Sequence, residues 1–258
     1  MQIWLNGILV DKNEAKIKIT LPAFRYGQGL FSTTRISNSE PVWIKDHLLR
    51  INSSLQYFNF KPINTNKIKN DIKNFIKQTQ IHEGYLRIMV WGNQNENDIC
   101  LMAEKLAITT NIPVKLIMNN FKHHSTDPLT KHKTLNYWKN ELAFKFATQK
   151  GCYDAILINE NNHICETSRC NIFWVKNNTL YTPEISCGLL PGIARQKVIE
   201  KAMKQNIKVF EVAANILEVY EADEVFLTNS VRGLIPVKSI NKNIYKGMNK
   251  ITNQLTLF

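Results

Sequence analysis

The chain has 258 residues, of which 44% are hydrophobic and 21% charged, the composition of an ordinary globular protein with one large or two small domains. No stretch of about 18 apolar residues could span a bilayer, and the first residues do not resemble a secretory leader, so we expect a cytoplasmic protein without a membrane partner. The net charge of +12 comes from lysines spread along the whole chain. Because there is no arginine-rich block or zinc-finger spacing, we expect no nucleic-acid partner.

The N-terminal third predicts strands followed by two helices. The segments IWLNG and KIKIT are predicted strands, and a helix is predicted from about Asp46. A second helix is predicted over residues 66–81, where four apolar residues recur at i, i+4, i+7 and i+8 and leave a lysine-rich solvent face. These residues are Ile68, Ile72, Phe75 and Ile76. Three β-rich segments follow, LRIMVW, CLMAEKLAI and VKLIMNN.

The rest of the chain predicts a second set of elements. Residues 121–133 are polar without a clear period and form a predicted loop, followed by a helix over residues 135–149. Two hairpins are predicted in DAILINENNHICE and CNIFWVKNNTLYTP, then a helix over residues 191–204 and strands in VFEV, EVFLTNS and LIPVKSI. We therefore predict an α+β protein with a smaller N-terminal domain (1–112), a linker (113–120) and a larger C-terminal domain (121–258).

Two residues have the side-chain chemistry of a catalytic site. Lys133 in HKTLNYW lies at the start of a predicted helix, where burial and the positive end of the helix dipole disfavour the ammonium form and leave a nucleophilic amine. Glu166 in HICETSRCNIFW lies between two predicted strands, where a partly buried carboxylate needs a partner. Taken alone, such a lysine is more often a surface charge, and such a glutamate fits a hairpin residue satisfied by backbone amides.

Three segments carry groups suited to an anion. In GLLPGIARQKVIE the amides of Ile193 and Ala194 open a predicted helix and face the positive end of its dipole. FLTNSVRG ends a strand with Thr228, Asn229 and Ser230, three residues able to donate to phosphate oxygens. Arg50 ends KDHLLR, beside leucines on a helix face. Each segment alone also fits a plain helix start, a polar turn or a surface arginine.

The order of these segments resembles that of the class IV aminotransferases, the fold-type IV pyridoxal-phosphate enzymes. This group includes branched-chain aminotransferases, D-amino acid transaminases and 4-amino-4-deoxychorismate lyases. The resemblance covers nearly the whole chain, through RYGQGLFSTTRI, DHLLRI, KTLNY, ETSRCNIFWVKNNTLYTP, GLLPGIAR and DEVFLTNSVRGLIPV. It implies a two-domain fold like that of D-amino acid aminotransferase, with pyridoxal 5'-phosphate in the cleft between the domains, and a homodimer.

The resemblance also implies roles for individual residues. Lys133 is the Schiff-base lysine and the acid and base of the reaction, and Glu166 pairs with the nitrogen of the cofactor ring. Tyr137, one helical turn after Lys133, is expected to reach the phenolic oxygen of the ring, and Asn171 supports the cofactor-binding segment. The expected phosphate ligands are Arg50, Ile193, Ala194 and Ser230, with Asn229 beside them.

Within the family, the sequence favours the lyase. Transaminases usually carry a glutamate after the aromatic residue of the first motif, where this chain has Ser32. Asn229 also matches the lyase pattern better than the small residue common in transaminases. We therefore expect 4-amino-4-deoxychorismate to be converted to 4-aminobenzoate and pyruvate, with Thr33 and Arg87 as substrate contacts.

Two departures from the family pattern keep the substrate open: Gln28 replaces the usual aspartate of the first motif, and Trp91 with Gly92 replaces an Arg-Gly turn. The alternative is a class IV aminotransferase acting on D-amino or branched-chain amino acids. A basic nucleic-acid-binding module is a third hypothesis, which salt-dependent DNA binding without a cofactor would favour. The five cysteines form no CxxC pair, which predicts free thiols and no metal site.

Overall fold

A computed structural model describes residues 2–92, 95–106, 112–245 and 250–258. The strands are β1 (Gln2–Leu5), β2 (Ile8–Asp11), β3 (Leu30–Ser37), β4 (Glu40–Pro41), β5 (Gly84–Gly92), β6 (Asn97–Lys105), β7 (Val114–Met118), β8 (Asp154–Ile158), β9 (Ile164–Thr167), β10 (Asn171–Lys176), β11 (Thr179–Pro183), β12 (Val209–Val212), β13 (Glu224–Asn229), β14 (Gly233–Ile240) and β15 (Asn243–Ile244). The helices are α1 (Pro22–Tyr26), α2 (Ile44–Tyr57), α3 (Thr65–Thr79), α4 (Trp138–Gln149), α5 (Ile193–Lys204), α6 (Ile216–Tyr220) and α7 (Lys250–Gln254). No helix in the described ranges is long and apolar enough to cross a membrane.

The chain forms two compact units. The first comprises residues 1–108 and 132–137, and the second comprises residues 109–131 and 138–258. Each unit is built on its own sheet. The predicted α+β class is therefore confirmed, and its strands form two sheets.

The first unit has an antiparallel sheet in the order β2-β1-β6-β5-β3-β4. Helices α2 and α3 bury their apolar stripes with one face of this sheet in a single core. The four apolar residues predicted for the second helix are all buried in α3. Asn64 caps the helix by accepting hydrogen bonds from the amides of Asn66 (3.1 Å) and Lys67 (3.0 Å), and such a cap contributes about 1 kcal/mol.

The second unit has a mixed sheet in the order β12-β11-β10-β13-β14-β7-β8-β9, with β15 paired to β14. The predicted hairpins are confirmed as the antiparallel pairs β8–β9 and β10–β11. Alternate residues of the central strands point to opposite faces of the sheet and pack in two separate apolar cores. Helix α5 packs in the core that contains Phe173 and Phe226, whose stacked rings lie 5.1 Å apart.

Two sequence predictions differ from the structure. KIKIT, residues 16–20, is not a strand; all five residues are exposed, so no sheet surface buries them. The second is the linker expected over residues 113–120: the predicted β-rich segment VKLIMNN within it forms strand β7, which pairs in parallel with β14 and β8. Its apolar residues therefore serve the core of the second sheet, with Leu116 buried there.

Candidate active site

The segment that carries Lys133 runs beside strand β3. The amide of Phe31 donates to the carbonyl of Lys133 (2.9 Å), and the amide of Leu135 donates to the carbonyl of Gly29 (2.9 Å). Helix α4 begins only at Trp138. The predicted placement of Lys133 at a helix start is therefore wrong, because pairing with β3 holds this segment extended and a helix dipole does not act on its amine.

Aromatic rings surround the amine of Lys133. Its Nζ donates to the Tyr137 hydroxyl at 3.4 Å and lies 4.5 Å from the centre of the Phe31 ring and 4.9 Å from that of Tyr137. The two rings meet edge to face at 5.2 Å. Tyr137 thus contacts Lys133 although it precedes helix α4 rather than lying one helical turn along it. Its expected contact with the phenolic oxygen of the cofactor ring stays a prediction. The rings fix the amine by cation–π contact and packing.

Arg50 lies in the same unit and is hydrogen-bonded to Ser32, which is in turn hydrogen-bonded to His47. Its Nη2 donates to Oγ of Ser32 at 2.8 Å, and this Oγ is 2.7 Å from Nδ1 of His47. Burial lowers the pKa of Arg50 to about 10, with Tyr137 acting in the opposite direction, so the guanidinium stays charged at neutral pH. In the part of the chain that the structure describes, no carboxylate lies within ion-pair distance of Arg50.

Burial also lowers the pKa of His47 well below its usual value, and the charges of Arg50 and Lys133 act in the same direction. His47 is therefore a neutral imidazole at physiological pH. Lys133, Tyr137, Phe31, Arg50, Ser32 and His47 are called the lysine cluster below. Sequence reasoning missed His47, because its partner Ser32 lies fifteen positions away and no local pattern links them.

The two predicted substrate residues are neighbours across the first sheet. Thr33 on β3 and Arg87 on β5 are directly opposed. Because side chains alternate along a strand, both lie on the face that carries Phe31. The Arg87 guanidinium carbon is 5.2 Å from the centre of the Phe31 ring, and Arg87 is exposed. Among the described residues no carboxylate pairs with it, so its charge is available to an anionic ligand.

Glu166 lies in the second unit, on β9, and only 9% of it is exposed. Asn171, at the start of β10, donates from Nδ2 to Oε2 of Glu166 (3.2 Å) and to the carbonyl of Leu190 (2.9 Å). A Cβ added to Gly192 would lie 2.0 Å from Oδ1 of Asn171. Asn171 therefore joins Glu166 to the segment before α5, and Gly192 is the residue that leaves room for it.

A buried carboxylate organises the turn that follows Glu166. Asp154 on β8 accepts hydrogen bonds from the hydroxyl of Thr167 (2.8 Å), from the amide (3.2 Å) and hydroxyl (2.5 Å) of Ser168, and from the amide of Arg169 (3.3 Å). Sequence reasoning missed Asp154 as well, because its donors lie 13 to 15 residues away and an aspartate before a strand is common.

Helix α5 begins at Ile193 without a side-chain cap. The amides of its first turn, including those of Ile193 and Ala194, therefore have no partner within the helix and face outward at the positive end of its dipole. Both residues are buried. This is the arrangement that suits an anion, as the sequence predicted.

The end of β13 provides hydroxyl groups beside Asn171. Thr228 is opposite Asn171 in the β10–β13 ladder and is 1% exposed, and its Oγ1 has no hydrogen-bond partner among the described residues. Ser230 follows in the turn and is half-buried. Asn229 has a local role: its Oδ1 accepts from two backbone amides and its Nδ2 contacts the sulfur of Cys170 at 3.2 Å.

The predicted site residues thus form two groups, one in each unit. The lysine cluster belongs to the first unit. The second group, called the glutamate cluster below, consists of Glu166, Asn171, residues 190–194 and residues 228–230. The first provides an amine and a guanidinium that pairs with no carboxylate among the described residues. The second provides a carboxylate, the first-turn amides of a helix and hydroxyls.

Comparison with known proteins identifies the class to which these features belong. The family model for amino-transferase class IV matches residues 29–240, and the chain belongs to this family. A branched-chain-amino-acid aminotransferase, provisionally named, from Methanocaldococcus jannaschii is 27% identical over 99% of this chain and 94% of its own. The crystal structure of a Legionella pneumophila protein provisionally named 4-amino-4-deoxychorismate lyase is 28% identical, with a TM-score of 0.90, over 95% of this chain and 94% of its own.

A third relative carries a cofactor derivative. The T.th. branched-chain amino acid aminotransferase, solved with N-(5'-phosphopyridoxyl)-L-glutamate, is 25% identical with a TM-score of 0.89, over 98% of this chain and 91% of its own. Class IV aminotransferases use pyridoxal 5'-phosphate, and the chain is accordingly an enzyme that depends on this cofactor. The family and cofactor predicted from the sequence are confirmed.

Proposed function

We propose that the protein is a 4-amino-4-deoxychorismate lyase, which forms 4-aminobenzoate and pyruvate. The observation that carries this choice is Ser32, at the position where transaminases of the family usually have a glutamate. Ser32 is completely buried and hydrogen-bonded to Arg50 on one side and His47 on the other. A hydroxyl at this position is therefore satisfied by hydrogen bonds to both neighbours. The name of the Legionella relative supports the same choice.

The polar groups of both clusters fit a phosphorylated cofactor with a cationic ring. In the first unit, the charge of Arg50 suits an anionic group. In the second unit, the first-turn amides of α5 and the hydroxyl of Thr228, which has no partner among the described residues, suit a phosphate group. The carboxylate of Glu166 suits a protonated ring nitrogen. When bound, pyridoxal 5'-phosphate supplies a ring that withdraws electrons from the carbon beside the amino nitrogen, so that the proton on this carbon becomes acidic.

The residues of the chain then perform the proton transfer. Lys133 is the only titratable amine in the lysine cluster, and we assign it the removal of the substrate ring proton. Tyr137 accepts a hydrogen bond from this amine and restricts its motion. Glu166 holds the ring nitrogen in its protonated form, and Asn171 fixes the orientation of the Glu166 carboxylate. In the lyase reaction, loss of this proton is followed by expulsion of pyruvate, and aromatisation of the ring favours the products.

Arg87 and Thr33 are the proposed substrate contacts. The substrate carries carboxylate groups, and Arg87 offers an exposed guanidinium on the sheet face that also carries Phe31 and Thr33. Arginine binds a carboxylate in a planar, two-point geometry that lysine cannot reproduce. We therefore expect Arg87→Lys to raise KM more than it lowers kcat.

The test is incubation with enzymatically prepared 4-amino-4-deoxychorismate. We expect 4-aminobenzoate and pyruvate in equal amounts, with no product from Lys133→Ala. A matched control is Lys139→Ala, because Lys139 lies on α4 close in sequence but pairs with Asp127 (2.7 Å). Absence of both products, with cofactor bound, would contradict the lyase assignment.

The second candidate is an aminotransferase for branched-chain or D-amino acids, which the name of the Methanocaldococcus relative favours. The two activities differ in the fate of the cofactor. A transaminase leaves pyridoxamine phosphate after a half-reaction with an amino acid, whereas a lyase regenerates the aldehyde form. Absorbance spectra after single-turnover mixing with L-leucine, L-glutamate or D-alanine separate them. We further propose a homodimer, as the family resemblance implies, and light scattering measures this directly.

A further inference from the structure

Ser32, His47 and Arg50 form a chain of hydrogen bonds inside the first unit. Arg50 Nη2 lies 2.8 Å from Ser32 Oγ, and Ser32 Oγ lies 2.7 Å from His47 Nδ1. Ser32 and His47 are both 0% exposed. Two such short bonds between buried groups orient the guanidinium more strictly than a single contact to solvent would.

The direction of each hydrogen bond follows from the chemistry of the groups. A guanidinium has only donors, so Ser32 Oγ must accept from Arg50. The tautomer of His47 with its hydrogen on Nε2 leaves Nδ1 to accept the serine hydrogen, which has no other acceptor among the described residues. Nε2 is buried and has no partner among the described residues. The lowered pKa of His47 agrees with this neutral form.

The hydrogen bonds that link Arg50 to Ser32 and Ser32 to His47 leave the charge of Arg50 intact. A carboxylate in the place of Ser32 would form an ion pair with the guanidinium and cancel most of its attraction for a second anion. A hydroxyl backed by a neutral imidazole supplies an acceptor without a negative charge. The guanidinium is thus both oriented and fully available.

We propose that Ser32 and His47 are positioning residues that hold Arg50 through uncharged hydrogen bonds, so that its guanidinium binds the cofactor phosphate with undiminished charge. This inference rests on the proposed role of Arg50 as a phosphate ligand. It assigns functions to two residues that do not themselves contact the cofactor. It also gives the serine at this position a role, namely that of an uncharged hydrogen-bond acceptor for the guanidinium.

The experiment compares two ligands that differ only in the phosphate. Affinities of the full-length chain, freed of cofactor, are measured for pyridoxal 5'-phosphate and for pyridoxal, and their ratio isolates the phosphate contribution. We expect Ser32→Ala and His47→Leu to reduce this ratio about tenfold, since hydrogen bonds to charged groups are worth roughly that factor or more. His47→Asn, which keeps an acceptor near the position of Nδ1, should retain most of the ratio.

Thr34→Val is the matched control. Thr34 lies two residues after Ser32 on the same strand and the same sheet face, is also 0% exposed, and donates to the carbonyl of Val42. Its loss should lower the thermal stability about as much as Ser32→Ala does but leave the affinity ratio unchanged. If Ser32 had only a structural role, Ser32→Ala and Thr34→Val would change both the thermal stability and the affinity ratio to the same extent.

Two outcomes overturn the proposal, and they can be told apart. If the wild type prefers pyridoxal 5'-phosphate and Arg50→Ala abolishes the preference, but Ser32→Ala and His47→Leu retain it, the positioning role is wrong while the phosphate role of Arg50 stands. If Arg50→Ala itself leaves the ratio unchanged, the proposed phosphate site fails and the inference fails with it. A reduced ratio in both positioning variants, with recovery in His47→Asn, supports the proposal.

Discussion

Asp154→Asn removes one acceptor from a buried carboxylate on which the turn after Glu166 depends. Oδ2 accepts from the Thr167 hydroxyl and the Arg169 amide, and Oδ1 accepts from the amides of Ala155 and Ser168 and from the Ser168 hydroxyl. The asparagine side chain can place its amide nitrogen at the position of either carboxylate oxygen, and replacing Oδ2 disrupts fewer hydrogen bonds. The Thr167 hydroxyl keeps its contact with the carbonyl of Cys170 (3.1 Å), but the Arg169 amide then faces another donor.

The magnitude follows from these contacts. An unsatisfied buried amide costs about 1–3 kcal/mol, and loss of the charge-assisted bond to Thr167 adds about 1 kcal/mol. Burial raises the pKa of Asp154 although its hydrogen bonds lower it. Because a buried charge is itself unfavourable, removing it offsets part of the lost free energy of unfolding. We expect Asp154→Asn to lower the free energy of unfolding by about 2 kcal/mol. Asp154→Ala leaves all five donors without their acceptor and should lower it by about 4 kcal/mol.

Urea unfolding of the cofactor-free protein measures both values. Asp223→Asn is the control, because Asp223 is exposed and accepts from the amide of Asn177 (2.9 Å); its replacement should cost less than about 1 kcal/mol. The reasoning is refuted if Asp154→Asn is as stable as the wild type, or no less stable than the Asp223 variant.

Three further predictions concern other parts of the molecule. Gly192→Ala places a Cβ 2.0 Å from Oδ1 of Asn171, so we expect the contact between Asn171 and Glu166 to break and cofactor affinity, measured by absorbance titration, to fall about tenfold; unchanged affinity would show that Asn171 has room to move. Tyr137→Phe keeps the ring packed on Phe31 but removes the acceptor for Lys133, so turnover should fall about tenfold with stability within about 0.5 kcal/mol of wild type; equal turnover would contradict the proposed role. His123 is 5% exposed without a hydrogen-bond partner for its ring in the described part of the chain, and burial lowers its pKa to about 4, with Lys139 acting in the same direction and Asp127 against it. The unfolded chain takes up this proton near pH 6.5 and the folded chain only near pH 4, so stability should fall as the pH drops through this window by up to about 1.4 kcal/mol per pH unit; His123→Gln should reduce that slope, and an unchanged slope would contradict the assignment.

The sequence predicted the elements whose pattern is local. The apolar stripe of α3 lies on one face because its spacing matches the helical period. The two hairpins of the second unit follow from short strands with asparagine-rich turns between them. These features depend on neighbours within a few residues, so composition and spacing were sufficient.

The errors concern segments whose conformation depends on distant partners. Residues 133–137 have no feature that forbids a helix, and only their pairing with β3, about a hundred residues earlier, keeps them extended. Strand β7 was predicted as the β-rich segment VKLIMNN but placed in a linker, because its partner β14 in the second sheet lies more than a hundred residues further on. Local propensity carries no information about such pairings.

The candidate site follows the same rule. The segments that carry Lys133, Glu166 and the first turn of α5 could be found because their motifs resemble those of a known family in the same order. The supporting contacts of His47 with Ser32 and of Asp154 with residues 167–169 join positions 13 to 15 residues apart through folded geometry. That the Thr228 hydroxyl has no partner among the described residues is evident only from the structure.

The most direct test of the account is to identify the residue that binds the cofactor. The protein is incubated with pyridoxal 5'-phosphate, reduced with borohydride and digested, and the modified peptide is sequenced by mass spectrometry. We expect a single modified lysine at position 133 and no specific modification in Lys133→Ala. Modification spread over the many exposed lysines, or concentrated at a lysine outside the segment beside β3, would contradict it.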